Sequence, residues 1–249
     1  MARPVAHTRG ASAAGKAGSL DESSSTTLTA RVLSLMRSDI LELRLEPGSK
    51  LVLEDLRDKY DVGASPLRES LSRLAVEGLV TGEDRRSYRV ATITEEDFVD
   101  LTMLRQEVEV LAVTRSVERG DDLWEADLIR AYHHMSLSTP TSQSFLAEWP
   151  GRHQAFHEGL VSACGSPRLL YLRRQLFDQF TRYQRIAPRH VWRSAGNDTE
   201  HKKLLEAALA RDVKKCEAMI RTHIKVLPVI VEAIRALNGN SKTTRQKRL

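Results

Sequence analysis

From Thr27 onward, apolar residues recur every three or four positions. Val32, Met36, Ile40 and Leu43 form one such stripe, which predicts a helix. The stripe ends at LEPGSKL, where Pro47 and Gly48 impose a turn. LEDLRDKY then sets Leu53, Leu56 and Tyr60 on one side of a short second helix. In VGASPLRESLSRLAVEGLV, Ser65 reads as an N-cap and Pro66 as the first helical residue. Leu67, Leu71, Leu74 and Ala75 form the buried stripe of this third helix, and Gly78 stops it. Over 79–93, LVTGEDRRSYRVATI, the period shortens to alternation around a polar turn, which predicts a two-stranded hairpin.

Thr94 in TEEDF caps a new helix, and beyond it no convincing strand pattern appears. Helical stripes run through about 95–119, 121–137, 143–164, 167–187, 198–211 and 213–236, broken at Gly and Pro positions. The predicted fold is therefore mostly α: a winged helix-turn-helix of three helices plus a β-hairpin wing, then an all-helical bundle of about six helices. The expected organisation is a disordered tail over 1–25, the winged helix-turn-helix domain over 26–93, the bundle over 94–238 and a basic disordered tail over 239–249.

Composition narrows the class. With 41% hydrophobic and 29% charged residues among 249, the chain has the makeup of an ordinary globular protein large enough for two domains. No apolar run approaches the roughly 18 residues of a membrane span. The first 18 residues contain no apolar core of a secretory signal. Two cysteines, Cys164 and Cys216, argue against a disulfide scaffold and fit a reducing cytoplasm. The formal net charge of +5 resides in the tails. Four of those charges fall in the last eleven residues and one net charge in the first 25, leaving residues 26–238 neutral. A nucleic-acid surface must then come from local arrangement.

Such an arrangement is present. The sharply begun third helix directs its N-terminal amides outward, where they favour phosphate. Arg68 and Arg73 lie off its apolar stripe, and Arg85, Arg86 and Arg89 concentrate donors in the hairpin, as a wing tracking DNA requires. Residues 26–93 nevertheless hold eleven basic and eleven acidic side chains, so a merely solvated face competes with this reading. The stretch EPGSKLVLEDLRDKYDVGASPLRESLSRLAVEGLV resembles the DNA-binding domain of the GntR family of bacterial transcription regulators. Pro66, Arg68, Glu69, Leu71, Leu74, Glu77, Gly78 and Leu79 match that family's PxRExLxxLxxEGL pattern. The resemblance implies that Arg68 contacts operator DNA and that Ser65 and the wing help fix phosphates. Gly63–Ala64 replace the usual Ser-Arg, and Glu54 stands where an Arg is frequent, so base readout by Arg68 carries more of the burden.

In HQAFH, His153 and His157 lie one helical turn apart on a face shared with Leu160 and Cys164. His201 shares a face with Leu204, Leu205 and Ala208, and His223 sits between Met219, Ile220 and Leu227. Four inward histidines on three helices can hold a metal, or each can be a hydrogen-bonded core residue. Cys164 is a rival ligand that reads better as a small core residue. Trp149 and Trp192 either wall a pocket or simply pack, and Arg152 and Arg182 are either carboxylate partners or, more in keeping with their type, surface or capping residues.

The bundle resembles the FCD ligand-binding domain of the FadR-type branch of the same family, through LRQEVE, HQAFHEGLVSACGS, EHKKLLEAALARD and MIRTHI. Together the two resemblances cover about 26–236. This one implies a divalent-metal site formed by His157, His201 and His223, with His153 at a position usually held by Asp. It also implies that Arg105 engages the effector. Neutral imidazoles suit zinc first and nickel second. Without the Asp such a site keeps its full +2 charge, which favours a carboxylate. DLWEADL, WPGRHQAFH and LFDQFTRY look most like the carbon-starvation-induced repressor subgroup, which controls catabolism of glutarate-like and GABA-derived acids. The resulting expectation is a homodimeric, cytoplasmic repressor, not an enzyme. A small carboxylic acid, of the size of a C4–C5 dicarboxylate such as glutarate, releases it from double-stranded operator DNA. Two alternatives stay open: a metal-dependent hydrolase, for which HQAFH lacks the Glu of HExxH, and a structural DNA-binding protein with a non-sensing bundle.

Overall fold

The computed structural model describes residues 18–84, 87–138, 145–187 and 199–246 of the protein. The head comprises α1 (Gly18–Leu41), β1 (Lys50–Leu51), α2 (Leu53–Tyr60), α3 (Ala64–Val76), β2 (Val80–Asp84) and β3 (Ser87–Val90). Its core gathers the stripes read from the sequence: Val32, Met36 and Ile40 of α1 meet Leu56 of α2 and Leu67, Leu71 and Leu74 of α3. Fully burying each such aliphatic side chain contributes about 1.5–3 kcal/mol.

The sheet is three-stranded and antiparallel in the order β1-β3-β2, with Val80 opposite Val90 and Leu51 opposite Tyr88. The third strand, β1, was not expected; two residues are too few to show alternation. The turn before it needs Gly48 at φ +76, a left-handed conformation that suits glycine.

Helix α3 starts two residues earlier than the sequence suggests. Its N-cap is Gly63, in extended conformation and without a side-chain cap, so Ser65 lies inside the first turn and is not the cap. Pro66 is tolerated there because first-turn amides have no helical partner. The helix closes at Glu77, followed by Gly78 at φ +71.

The bundle contains seven helices among the described residues, one more than expected: α4 (Glu95–Arg119), α5 (Asp122–Ser136), α6 (Phe145–Val161), α7 (Pro167–Arg185), α8 (Thr199–Leu209), α9 (Val213–His223) and α10 (Pro228–Gln246). The single helix expected over 213–236 is two. Pro228 disfavours helical backbone at Leu227 and cannot donate into a continuing helix, and the chain is already extended at Ile224. Thr94 caps α4 as read, accepting from the Asp97 amide at 3.2 Å.

Helix α4 is the spine. Its Ala112, Val113 and Val117 pack with Leu128, Phe156, Leu160, Cys164, Leu204, Cys216 and Ile220. Its Phe98, Leu101 and Val108 pack with Leu176, Phe180, Tyr183, Ile230 and Ile234. Both assigned tails also differ from the expectation. Helix α1 begins at Gly18, and α10 continues to Gln246.

Candidate metal centre

One turn of α6 sets His153 and His157 so that their Nε2 atoms are 3.1 Å apart. Helix α8 brings His201 against them, and His223 closes the set from the last turn of α9. One ring nitrogen from each of the four lies within 4.8 Å of the other three. His157 is wholly buried, His153 and His201 nearly so, and His223 partly. The convergence that spacing alone left open is therefore present in the fold.

The donor set fits a metal. Two nitrogens that each stand about 2.0–2.1 Å from a tetrahedral ion are about 3.3 Å apart, so the His153–His157 pair is already near that spacing, while the widest pair must draw in by about 1–1.5 Å. Nε2 of His201 and Nδ1 of His157 are buried without a hydrogen-bond partner. Leaving such a nitrogen unsatisfied costs about 1–3 kcal/mol, and a ligand in the cluster offsets that cost at Nε2 of His201. Burial and the adjacent imidazoles push His153 and His157 well below the usual imidazole range, and burial beside His223 lowers His201 to about 3. All three are neutral at pH 7, the form that binds metal.

Around the histidines lies buried charge. Arg105 on α4 is 5% exposed, its Nε has no partner, and its guanidinium lies over Phe180 at 4.3 Å and Phe177 at 5.1 Å. Burial depresses its pKa to about 10, partly offset by Glu109, so it stays charged at neutral pH. Glu109, one turn on, is held by a two-pronged ion pair from Arg173 of α7, both bonds 2.8 Å. Arg105 and Arg173 against Glu109 leave one formal positive charge in a dry interior, before any metal adds two more. Such an interior favours an anion.

A cleft of about 620 Å³ has His153 and Phe177 in its wall and reaches Glu42 and Leu43 at the end of α1. It is wide enough for a small diacid and touches both head and bundle. Sequence reasoning missed Glu109 and Arg173. The signal was present, because each charged residue occupies an apolar stripe position, among Leu101, Val108 and Val113 in one case and Leu176, Phe177 and Phe180 in the other.

The remaining singled-out residues divide clearly. Trp149 stacks on His153 with ring centroids 4.4 Å apart. Cys164 lies in the aliphatic core with its thiol near the Ser166 carbonyl, and it is outside the histidine set. Arg152 pairs with Glu148 and Ser138, and Arg182 donates to the Ala91 carbonyl between head and bundle. Trp192 lies outside the described residues.

On the head, Ser65 and Arg68 are exposed on the first turns of α3, and Arg68 has no ion pair or hydrogen bond among the described residues. Arg73, also exposed, pairs with Glu69 at 2.5 Å on the same helix. Arg89 donates to the Gly48 carbonyl at 3.2 Å, bracing the sheet. Arg85 and Arg86 lie outside the described residues. No described helix is long and apolar enough to cross a membrane.

Comparison with known proteins finds two matched stretches. Residues 28–90 match the family described as bacterial regulatory proteins, gntR family, and residues 100–226 match the FCD domain. The HTH-type transcriptional repressor GlaR of Escherichia coli is 36% identical over 206 residues, covering 80% of this chain and 94% of that protein. The HTH-type transcriptional regulator BphR of Paraburkholderia xenovorans is 34% identical, covering 76% of this chain and 79% of its own. Among solved structures, E. coli McbR/YncC aligns with a TM-score of 0.64 at 17% identity, over 89% of this chain and 99% of that one. A putative GntR regulator from Rhodococcus sp. RHA1 aligns at 0.62 with 21% identity, over 86% and 98%. These structural likenesses bear on the fold alone.

Proposed function

The chain belongs to the gntR family of bacterial transcription regulators, with an FCD domain behind its DNA-binding head, and on that premise we propose that it is a repressor released from its operator by a small carboxylic acid bound at a metal in the bundle. The family membership makes it a DNA-binding regulator, not an enzyme. The observation that carries the finer reading is the four-histidine cluster beside the unpaired, buried Arg105.

His157, His201 and His223 hold the ion, with His153 as the fourth ligand. Zinc fits this all-nitrogen set best, nickel second, and calcium or magnesium poorly. A divalent ion in this position supplies a positive centre for a carboxylate oxygen. Arg105, whose position over two aromatic rings limits its motion, supplies two-pronged donors for a carboxylate. A C4–C5 dicarboxylate such as glutarate carries one carboxylate for the ion and one for Arg105.

Arg68 reads operator DNA from the exposed face of α3. Ser65, Arg73, Arg85, Arg86 and Arg89 position the head on phosphates. Two copies place two recognition helices on a palindrome, and a change in the spacing of the heads alters operator affinity. Acting on the chromosome puts the protein in the bacterial cytoplasm.

The test is calorimetry of glutarate and succinate against zinc-loaded and chelated protein. Binding that needs both zinc and Arg105 supports the reading. Equal binding by chelated protein contradicts the metal's role, and no binding of either acid contradicts the dicarboxylate.

A further inference from the structure

Beyond its two ring nitrogens' immediate neighbours, His157 faces a second layer of charge. Its Nε2 points at His153 inside the cluster, 3.1 Å away. Its Nδ1 points the other way, is buried without a hydrogen-bond partner, and stands 3.9 Å from Oε1 of Glu109. Glu109 and His157 are both 0% exposed, so no solvent competes for either group. Glu109 cannot swing away, because Nε and Nη2 of Arg173 grip its two oxygens at 2.8 Å each.

We infer that Glu109, anchored by Arg173, is the positioning residue of the metal site: it takes the Nδ1 proton of His157 as a hydrogen bond and so fixes Nε2 as the metal-binding nitrogen. This rests on the metal reading above. An imidazole that binds through Nε2 carries its proton on Nδ1, and a carboxylate behind that proton fixes both the tautomer and the ring plane. The 3.9 Å separation is beyond hydrogen-bond length, and about 1 Å of approach makes the bond a charge-assisted one. The carboxylate also places a negative charge one residue from the ion, in a site where histidine occupies all four donor positions.

The cluster contains its own comparison. Nδ1 of His223 faces Oε2 of Glu200 at 3.5 Å, the same carboxylate-behind-imidazole relation. Glu200 has a side chain 70% exposed, so water can replace it. The two carboxylates therefore differ in what their removal does: the buried one orients, the exposed one adds little.

The test compares Glu109→Gln with wild type and Glu200→Gln in the full chain, by zinc competition with a chromogenic chelator. Glu109→Gln is expected to weaken zinc binding by about 10–100-fold, and Glu200→Gln by only a few-fold. In zinc-loaded wild type, a downfield imidazole N–H proton of His157 is expected by NMR, and it is lost in Glu109→Gln. If Glu109→Gln unfolds because Arg173 is left as an unpaired cation, the double variant Glu109→Gln/Arg173→Gln removes that cation and is expected to show the same loss of affinity. Wild-type zinc affinity in the folded Glu109 variants, with only a lower Tm of the zinc-free protein, means the pair merely ties α4 to α7 and overturns the inference. If wild type itself takes up no zinc, the metal reading fails and this inference fails with it.

Discussion

Gln179 on α7 donates its side-chain amide to the main-chain oxygen of Glu77, 2.9 Å away, at the residue that closes α3. The same helix, α7, sends Arg182 to the Ala91 carbonyl between head and bundle and carries Phe177 and Phe180 beneath Arg105. One rigid element therefore touches the proposed effector arginine and the end of α3. Gln179→Ala is expected to keep operator affinity within a few-fold while reducing the loss of affinity that an acid causes. Fluorescence anisotropy of labelled operator with and without glutarate reads both quantities. An unaltered response places the coupling elsewhere.

Gly78 sits at the same junction. Its φ of +71 suits glycine, and a Cβ there would fall 2.8 Å from the Gln179 amide nitrogen. Gly78→Ala is expected to cost about 1–2 kcal/mol through backbone strain and to displace Gln179, so thermal unfolding and anisotropy change together.

Arg68 and Arg73 separate by their partners. Arg68→Ala is expected to weaken operator binding by about 1–3 kcal/mol and to relax base preference, with zinc content unchanged. Arg73→Ala, already paired with Glu69, is expected to cost less and to act alike on all sequences. Gel shifts on operator and scrambled DNA distinguish the two. Loss of zinc together with DNA binding in the Arg68 variant would indicate misfolding instead.

Arg105 is a buried cation whose Nε has no partner. Replacing it with Met removes a desolvated charge, so Arg105→Met is expected to raise the stability of the ligand-free protein by about 1–3 kcal/mol while abolishing the response to acid. Thermal unfolding and anisotropy are the measurements. A strong fall in Tm would mean that Arg105 is a structural residue.

Asp39 makes the head sensitive to acid. Burial pulls its carboxyl upward, but hydrogen bonds from Lys59, Tyr60 and Arg44 win and hold it below the ordinary value. Because its folded pKa is depressed, its contribution is full above about pH 4 and is lost as pH falls through the folded value. Asp39→Asn is expected to lower Tm at pH 7 and to flatten the fall in Tm below pH 4.

Much of this was legible in the sequence because local chemistry decided it. The Pro47–Gly48 turn, the Thr94 cap and the stripe of Leu67, Leu71 and Leu74 each depend on residues within a few positions of one another. The pairing of Lys50–Leu51 with β3 depends on partners about 40 residues away, so no local period announces it. The break before Pro228 was overlooked because Leu227 and Ile230 continue the apolar spacing across it. At the site, sequence supplied the four histidines and Arg105 but not their outer layer. Arg173 meets Glu109 across 64 positions, and nothing local to either residue specifies the other.

On the proposed function, acid binding at the histidine cluster controls DNA binding. Its most direct measurement is operator affinity, on DNA from upstream of the protein's own gene, for zinc-loaded wild type and His157→Ala with and without glutarate. The expected result is that glutarate weakens wild-type binding by at least tenfold, and that chelation or His157→Ala removes this response while leaving acid-free affinity within a few-fold. An operator affinity that is the same with and without acid, zinc and His157 would contradict it.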